Sequence, residues 1–277
     1  MQNMQNLQKE AKTIRRLVIE TIGHAGAGHT GGSLSVVEIM TILYFHAMKV
    51  DPQNPSWPSR DRCILSKGHS SPAWYCTLAE KGFFSHEKLK EFDRIDGMLQ
   101  GHPDMLKTPG VDISSGSLGQ GLSVGIGMSL GGKALKETFY VYVILGDGEL
   151  QEGQIWEAAM YAGFHKVPRL IAIVDYNKLQ LTSPTAEVLN LEPLAAKWQS
   201  FGWEVIECDG HDIDGLTETV DRAKKRAATG PVVILAHTIK GYGVSFIAGR
   251  VEWHGKAPNR EELKRALYEL KDEDEKR

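Results

Sequence analysis

Hydrophobic and polar positions change their period along the chain. Over residues 7–24, Ile14, Leu17, Val18 and Ile22, with Thr21 among them, recur at helical spacing and predict a first helix. A loop follows, GHAGAGHTGG, and Ser33 is expected to cap a second helix running to about Met48, with Glu38 in its body. DPQNPSWPSRD is a proline-punctuated loop. RCILS reads as a short buried strand ending at KGHSSP, and helices are expected near residues 73–80 and 86–92.

After residue 138 strands and helices alternate. FYVYVIL, RLIAIVDYN, WEVIECDG and GPVVILAHT read as strands. EGQIWEAAMYAGFH, LEPLAAKWQSFG and IDGLTETVDRAKKRA read as the helices between them. The strands are nearly continuous apolar runs, as in a parallel sheet covered on both faces. The fold class is therefore α/β, a mostly parallel sheet with helices on both faces. No repeat or linker divides the chain, so a single domain over 1–277 is expected, with an N-terminal helical segment over about 1–60 and a charged C-terminal helix over about 259–277.

SSGSLGQGLSVGIGMSLGGKAL, which begins at Ser114, has helical length but many glycines. A glycine inside a helix costs up to about 1 kcal/mol relative to alanine. Close approach of another backbone or a ligand would offset that. Packing against the chain's own sheet and packing against a partner chain both fit. On the helix after GDG, Trp156, Met160 and Phe164 read as core rather than as cofactor contacts.

Composition narrows the classes. The 277 residues are 42% hydrophobic and 24% charged, ordinary for a globular protein. A net charge of −3 gives no electrostatic reason to expect nucleic acid or an anionic membrane as partner. The N-terminus lacks the apolar core of a secretory signal, and no apolar run approaches bilayer length. Cys63, Cys76 and Cys208 are odd in number and widely spaced, which suggests neither a disulfide framework nor a metal knuckle. A reducing, cytoplasmic setting is the expectation.

In an open parallel sheet, ligands bind at the carboxyl ends of the strands. Asp147 lies just past YVYVIL, and Asn177 just past LIAIV, one strand–helix–strand unit later. Such a unit sets the two side by side, with Gly146 and Gly148 letting a ligand approach backbone. A carboxylate with a carboxamide is a hard-oxygen pair, suited to Mg²⁺ or Ca²⁺ rather than zinc. Magnesium commonly takes its remaining oxygens from backbone carbonyl, water and phosphate. A helix starting near Glu152 would offer free N–H groups to that phosphate. The inference is a metal-bridged diphosphate over the 146–148 turn. GDG alone is most often a plain turn; Asn177, at a second strand end, is what makes it a site.

The motifs extend well beyond that turn. GDGELQEG followed by DYNKLQ resembles the thiamine diphosphate motif of transketolases. GAGHTGGSLSVVEI, RDRCILSKGHSSPAWY, LQGHPD, SSGSLGQGLSVGIGMSLGGK, TIKGYGVSFIAG and WHG resemble transketolase motifs in the same order, from about Lys12 to Lys256. The resemblance implies a thiamine diphosphate-binding fold, specifically its diphosphate-binding domain. It implies that Asp147, Asn177 and the carbonyl of Leu179 hold Mg²⁺, with Ca²⁺ or Mn²⁺ possible. Gly148, Asn177, His69 and His254 would then contact the diphosphate side, and the turn of Gly116, Ser117 and Leu118 the aminopyrimidine. His29, His69, His102 and His254 would face the thiazolium and sugar as catalytic groups, and Glu152 the partner chain near the cofactor. Histidine suits such a role because it donates, accepts and shuttles protons near neutral pH.

The remaining histidines, His24, His46, His86, His165, His211 and His237, lie outside these motifs and are expected to be ordinary hydrogen-bonded residues. HAGAGH lacks helical ligand spacing, and the HD of His211–Asp212 has no hydrolase companions.

In the family a pyrimidine-binding domain and a C-terminal domain follow this one, and they carry the activating glutamate and most phosphate-binding arginines. The resemblance therefore implies the N-terminal subunit of a split transketolase, working with a separate C-terminal subunit in a heterotetramer with two of each. It would move a two-carbon ketol group between sugar phosphates, as in the pentose phosphate pathway. A deoxyxylulose-phosphate synthase-like or specialised sugar-pathway ketolase is the near alternative. A non-catalytic thiamine diphosphate binder and a magnesium–nucleotide binder belong to other classes. The latter lacks a GxxxxGK[ST] loop.

Overall fold

The computed structural model describes residues 2–271. The end of the predicted C-terminal helix, 272–277, lies outside them. The sheet consists of β1 (Arg62–Leu65), β2 (Val141–Gly146), β3 (Leu170–Tyr176), β4 (Glu204–Asp209) and β5 (Val232–His237). All pairings are parallel, in the order β1-β2-β3-β5-β4. The carboxyl ends of β1, β2, β3 and β5 therefore face one edge.

Alternate strand residues feed two cores. Tyr142, Ile144, Ile171 and Ile173 join the layer of α1 (Gln2–Ala25), α2 (Thr30–Leu34), α3 (Val37–Ile42) and α4 (Ser71–Lys81). Val141, Val143, Leu145 and Ala172 join the layer of α5 (Gln120–Ala134) and α6 (Gly153–Phe164). The short α7 (Thr185–Val188) follows β3; α8 (Leu194–Ser200) completes the second layer through Leu194 and Trp198. The first layer also takes in α9 (Ile213–Ala227) and α10 (Arg260–Glu269), the latter opened by an Asn259–Glu262 capping box. Helices thus cover both faces, as the apolar strand runs predict. Among the described residues no helix is long and apolar enough to cross a membrane. Cys63, Cys76 and Cys208 are free thiols.

Several local expectations are corrected. The helix assigned to residues 33–48 is broken: α2 ends at Leu34, α3 begins at Val37, and a π-helical turn spans Leu43–Ala47. Ser33 is inside α2 rather than its cap, and its buried hydroxyl has no hydrogen-bond partner. The break lies at Ser35, whose hydroxyl donates to Asp175 on β3. The glycine-rich segment is helical only from Gln120; residues 114–119 are a loop that turns at 117–119. Its inner glycines do pack on the sheet: a Cβ at Gly125 would come within 2.5 Å of Val143 Cγ2. Gly127 and Gly131 face open space. On α6, Trp156 packs beside Trp198, but Met160 and Phe164 are 55% and 81% exposed and are not core.

Candidate active site

The register pairs Gly146 of β2 with Asp175 of β3, so the turns after these strands start level. Asp147 Oδ1 accepts the Gly148 N–H at 2.7 Å, and its Oδ2 accepts the N–H of Lys178. The predicted proximity of Asp147 and Asn177 is thus built by backbone pairing and locked by the aspartate. Asn177 Nδ2 donates to Asp175 Oδ2 at 3.0 Å, while its Oδ1 accepts the Leu179 N–H at 3.0 Å. Asp175 therefore fixes which way the amide points. Gly148 is sterically required, since a Cβ there would lie 2.9 Å from Gln180 Cβ. Gly146 is not, because its nearest neighbour would be 3.5 Å away.

The expected helix N-terminus near Glu152 is different. A 3-10 turn, Gly148–Gln151, intervenes, and Asp147 caps it. α6 starts only at Gly153, and Glu152 is its exposed N-cap residue without a side-chain capping bond. The N–H groups nearest Gly148 thus belong to the 3-10 turn, because the chain must fold Glu149 inward before the helix can begin.

A cavity of about 270 Å³ opens over these turns, lined among others by His69, Leu118, Asp147, Glu152, Asn177 and Lys240. Beside it the four motif histidines converge. Ring centroids lie 5.1 Å apart for His29–His69, 5.4 Å for His29–His254, 5.0 Å for His69–His254 and 6.2 Å for His29–His102. The Gly116–Leu118 turn reaches the same place, since a Cβ at Gly116 would meet His102 at 3.4 Å. The structure thus brings together all the residues expected of the site, with Gly116 and Ser117 exposed at its rim.

Charge inside the site is set by two lysines to which the sequence reading gave no role. Lys67 pairs with Asp175 and donates to the Gly32 carbonyl at 3.0 Å. Lys240 donates to the Gln180 carbonyl at 2.9 Å, the Leu179 carbonyl at 3.3 Å and His254 Nδ1 at 2.9 Å. An ammonium can only donate, so His254 accepts at Nδ1 and carries its proton on Nε2. Burial, aided by Lys67, lowers Lys240 to about 8. Burial and then the lysines and neighbouring imidazoles push His69 far below its ordinary value and His254 down to about 3. His29 is lowered by burial and by His102. These three imidazoles are neutral at physiological pH. Burial, reinforced by the Asp175 carboxylate, raises Asp147 to about 7. A carboxylate raised by burial and a neighbouring carboxylate despite Lys67, with an amide and a backbone carbonyl beside it, fits a hard divalent cation. Among the described residues no group of three or more His, Cys, Asp or Glu is placed to hold a metal ion. Both lysines sit in motifs visible in the sequence, LSKGH and TIKGYG, where a lysine closes an apolar strand.

Outside the site, His46, His86, His211 and His237 meet Asp221, Glu80, Glu38 and Glu207. His46, His211 and His237 are hydrogen-bonded as expected, whereas the His86–Glu80 contact is a close approach without a hydrogen bond.

Known proteins resemble this chain in sequence and fold. Residues 6–274 match the family model described as transketolase, thiamine diphosphate binding domain. The 6-deoxy-6-sulfo-D-fructose transketolase subunit SqwG of a Clostridium strain is 48% identical over 97% of this chain and 97% of its own. An apulose-4-phosphate transketolase subunit from Actinobacillus succinogenes is 45% identical over 96% of each chain. The crystal structure of Campylobacter jejuni transketolase superposes with a TM-score of 0.90 at 32% identity. The match covers 96% of this chain but only 43% of that one.

Proposed function

The chain belongs to the transketolase family as a thiamine diphosphate-binding domain, and from that premise we propose that it is the N-terminal subunit of a two-chain transketolase. With a C-terminal subunit it transfers a two-carbon ketol group from a ketose phosphate to an aldose phosphate. The observation that carries this reading is the convergence of four imidazoles beside the paired Asp147 and Asn177 turns. Asp147, Asn177 and the Leu179 carbonyl would hold Mg²⁺, with Ca²⁺ or Mn²⁺ as substitutes, and Gly148, His69, His254 and the Lys240 charge would receive the diphosphate. Gly116, Ser117 and Leu118 would meet the aminopyrimidine. The bound cofactor supplies an electron sink for breaking and forming the carbon–carbon bond. His29, His69, His102 and His254 bind sugar hydroxyls and move protons. The lowered values of His29, His69 and His254 keep them neutral, and His254, whose Nδ1 is taken by Lys240, presents its Nε2 N–H as a donor.

Two observations support a partner chain. Two relatives of the same length are named as subunits. The α5–α6 layer carries exposed Met160 and Phe164 on α6 and open Gly127 and Gly131 on α5. Two of each chain in a cytoplasmic heterotetramer is the proposed assembly. The test is to mix the chain with its C-terminal subunit, thiamine diphosphate and Mg²⁺. Absence of ketol transfer to every aldose phosphate tried would overturn the proposal. A second reading, a specialised sugar ketolase rather than a pentose phosphate enzyme, is favoured by the names of the two relatives. The donor panel should therefore include 6-deoxy-6-sulfo-D-fructose and apulose 4-phosphate.

A further inference from the structure

Glu149 lies two residues beyond Asp147 and is only 3% exposed, although it is a carboxylate. Its Oε1 accepts the Ser66 hydroxyl and the Gly119 N–H, the latter at 2.8 Å. Its Oε2 accepts the Gly146 N–H at 3.0 Å. Ser66 Oγ in turn accepts the Gly121 N–H at 3.1 Å. One side chain thus gathers donors from the end of β1, the turn entering α5 and the end of β2. There is little slack: a Cβ at Gly121 would stand 2.5 Å from Ser66, and one at Gly119 would stand 2.7 Å from Gln154.

Resting on the cofactor reading above, we propose that Glu149 is a positioning residue coupling the two ends of the cofactor site. It joins the 146–148 turn, which would take the diphosphate, to the 116–118 turn, which would take the pyrimidine, so that filling one end stiffens the other. Both carboxylate oxygens receive donors, so the link needs an acceptor at each. Glutamine supplies one acceptor and turns an N–H₂ group toward either Gly146 or the Gly119–Ser66 pair, and a buried N–H left facing a donor is costly.

The experiment is hydrogen–deuterium exchange of the full chain with and without magnesium pyrophosphate, a probe that has no pyrimidine. In the wild type, the probe should slow exchange at residues 146–151 and also at 119–121, by about fivefold or more, the lower end of typical site-to-site coupling. In Glu149→Gln the slowing at 146–151 should persist and that at 119–121 should vanish. Ser66→Ala, a smaller change that cuts the branch to Gly121, should abolish the effect at Gly121, and it carries the test if the glutamine variant does not fold. Undiminished transmission in the variants overturns the proposal. So does a wild type protected at 146–151 alone. No protection anywhere in the wild type would instead overturn the cofactor reading, and the coupling with it.

Discussion

Lys67 meets the carboxylate of Asp175 as an ion pair whose side chains are 2% and 0% exposed, on the inner side of the turn that carries Asp147. Asp175 also accepts the hydroxyls of Ser35 and Thr238 and the Asn177 amide. Burial alone would raise its pKa, but Lys67 and these donors outweigh burial and hold it below the ordinary value. Breaking a buried pair by removing one partner leaves an uncompensated charge. Lys67→Met should therefore destabilise the chain by about 3–5 kcal/mol, read from urea unfolding. A loss below about 1 kcal/mol, the range of an exposed pair, would show that the charge finds water or another partner.

Asp147 behaves differently, because burial, and after it the neighbouring Asp175 carboxylate, raises it to about 7. Removing it relieves that repulsion while losing two backbone hydrogen bonds. Asp147→Ala should leave the fold intact by circular dichroism and abolish metal-dependent binding of thiamine diphosphate in calorimetry. Binding that survives the substitution would contradict the metal assignment.

The contrast between these two aspartates shows where the sequence was legible. Asp147 could be found because it ends an apolar strand between two glycines, and Asn177 because it ends the next strand. The parallel sheet followed from near-continuous apolar runs, a local property. Asp175 sits inside such a run and looks like a strand residue. Its role appears only when Ser35, Lys67 and Thr238, each from a different loop, converge on it. The break after α2 has the same origin, since nothing local to Ser33 or Ser35 announces a hydroxyl needed by β3. Met160 and Phe164 were misjudged because helical spacing tells which residues share a face, not whether that face is covered.

Neutral histidines give the site a pH signature. His29, His69 and His254 are all lowered, by burial first. The fold therefore favours their neutral forms, whereas the unfolded chain protonates them at an ordinary value near about 6.5. Below that pH the unfolded state holds more protons, so their contribution is complete above it and is lost as pH falls. The raised Asp147 and Glu149 work in the opposite sense, gaining stability as pH falls, so the net profile mixes both. The clean measurement is a difference. Between pH 7 and pH 5, His69→Asn should lose less stability than the wild type, by up to about one proton in the slope. Parallel profiles would mean that His69 is not held neutral.

The two faces of α5 should respond oppositely to the same substitution. Gly125 faces the sheet, and a methyl there would be driven to within 2.5 Å of Val143 Cγ2. Gly125→Ala should destabilise by about 1–3 kcal/mol, the usual cost of overpacking. Gly127 is exposed within the same helix, with nothing within 4 Å of an added Cβ. Gly127→Ala should therefore stabilise the isolated chain by up to about 1 kcal/mol through helix propensity alone. If this outward side of α5 and α6 meets the proposed partner chain, the same methyl will hold the two surfaces apart. Calorimetric titration with the C-terminal subunit should then show weaker association for the more stable variant. Unchanged association together with raised stability would move the partner surface away from α5.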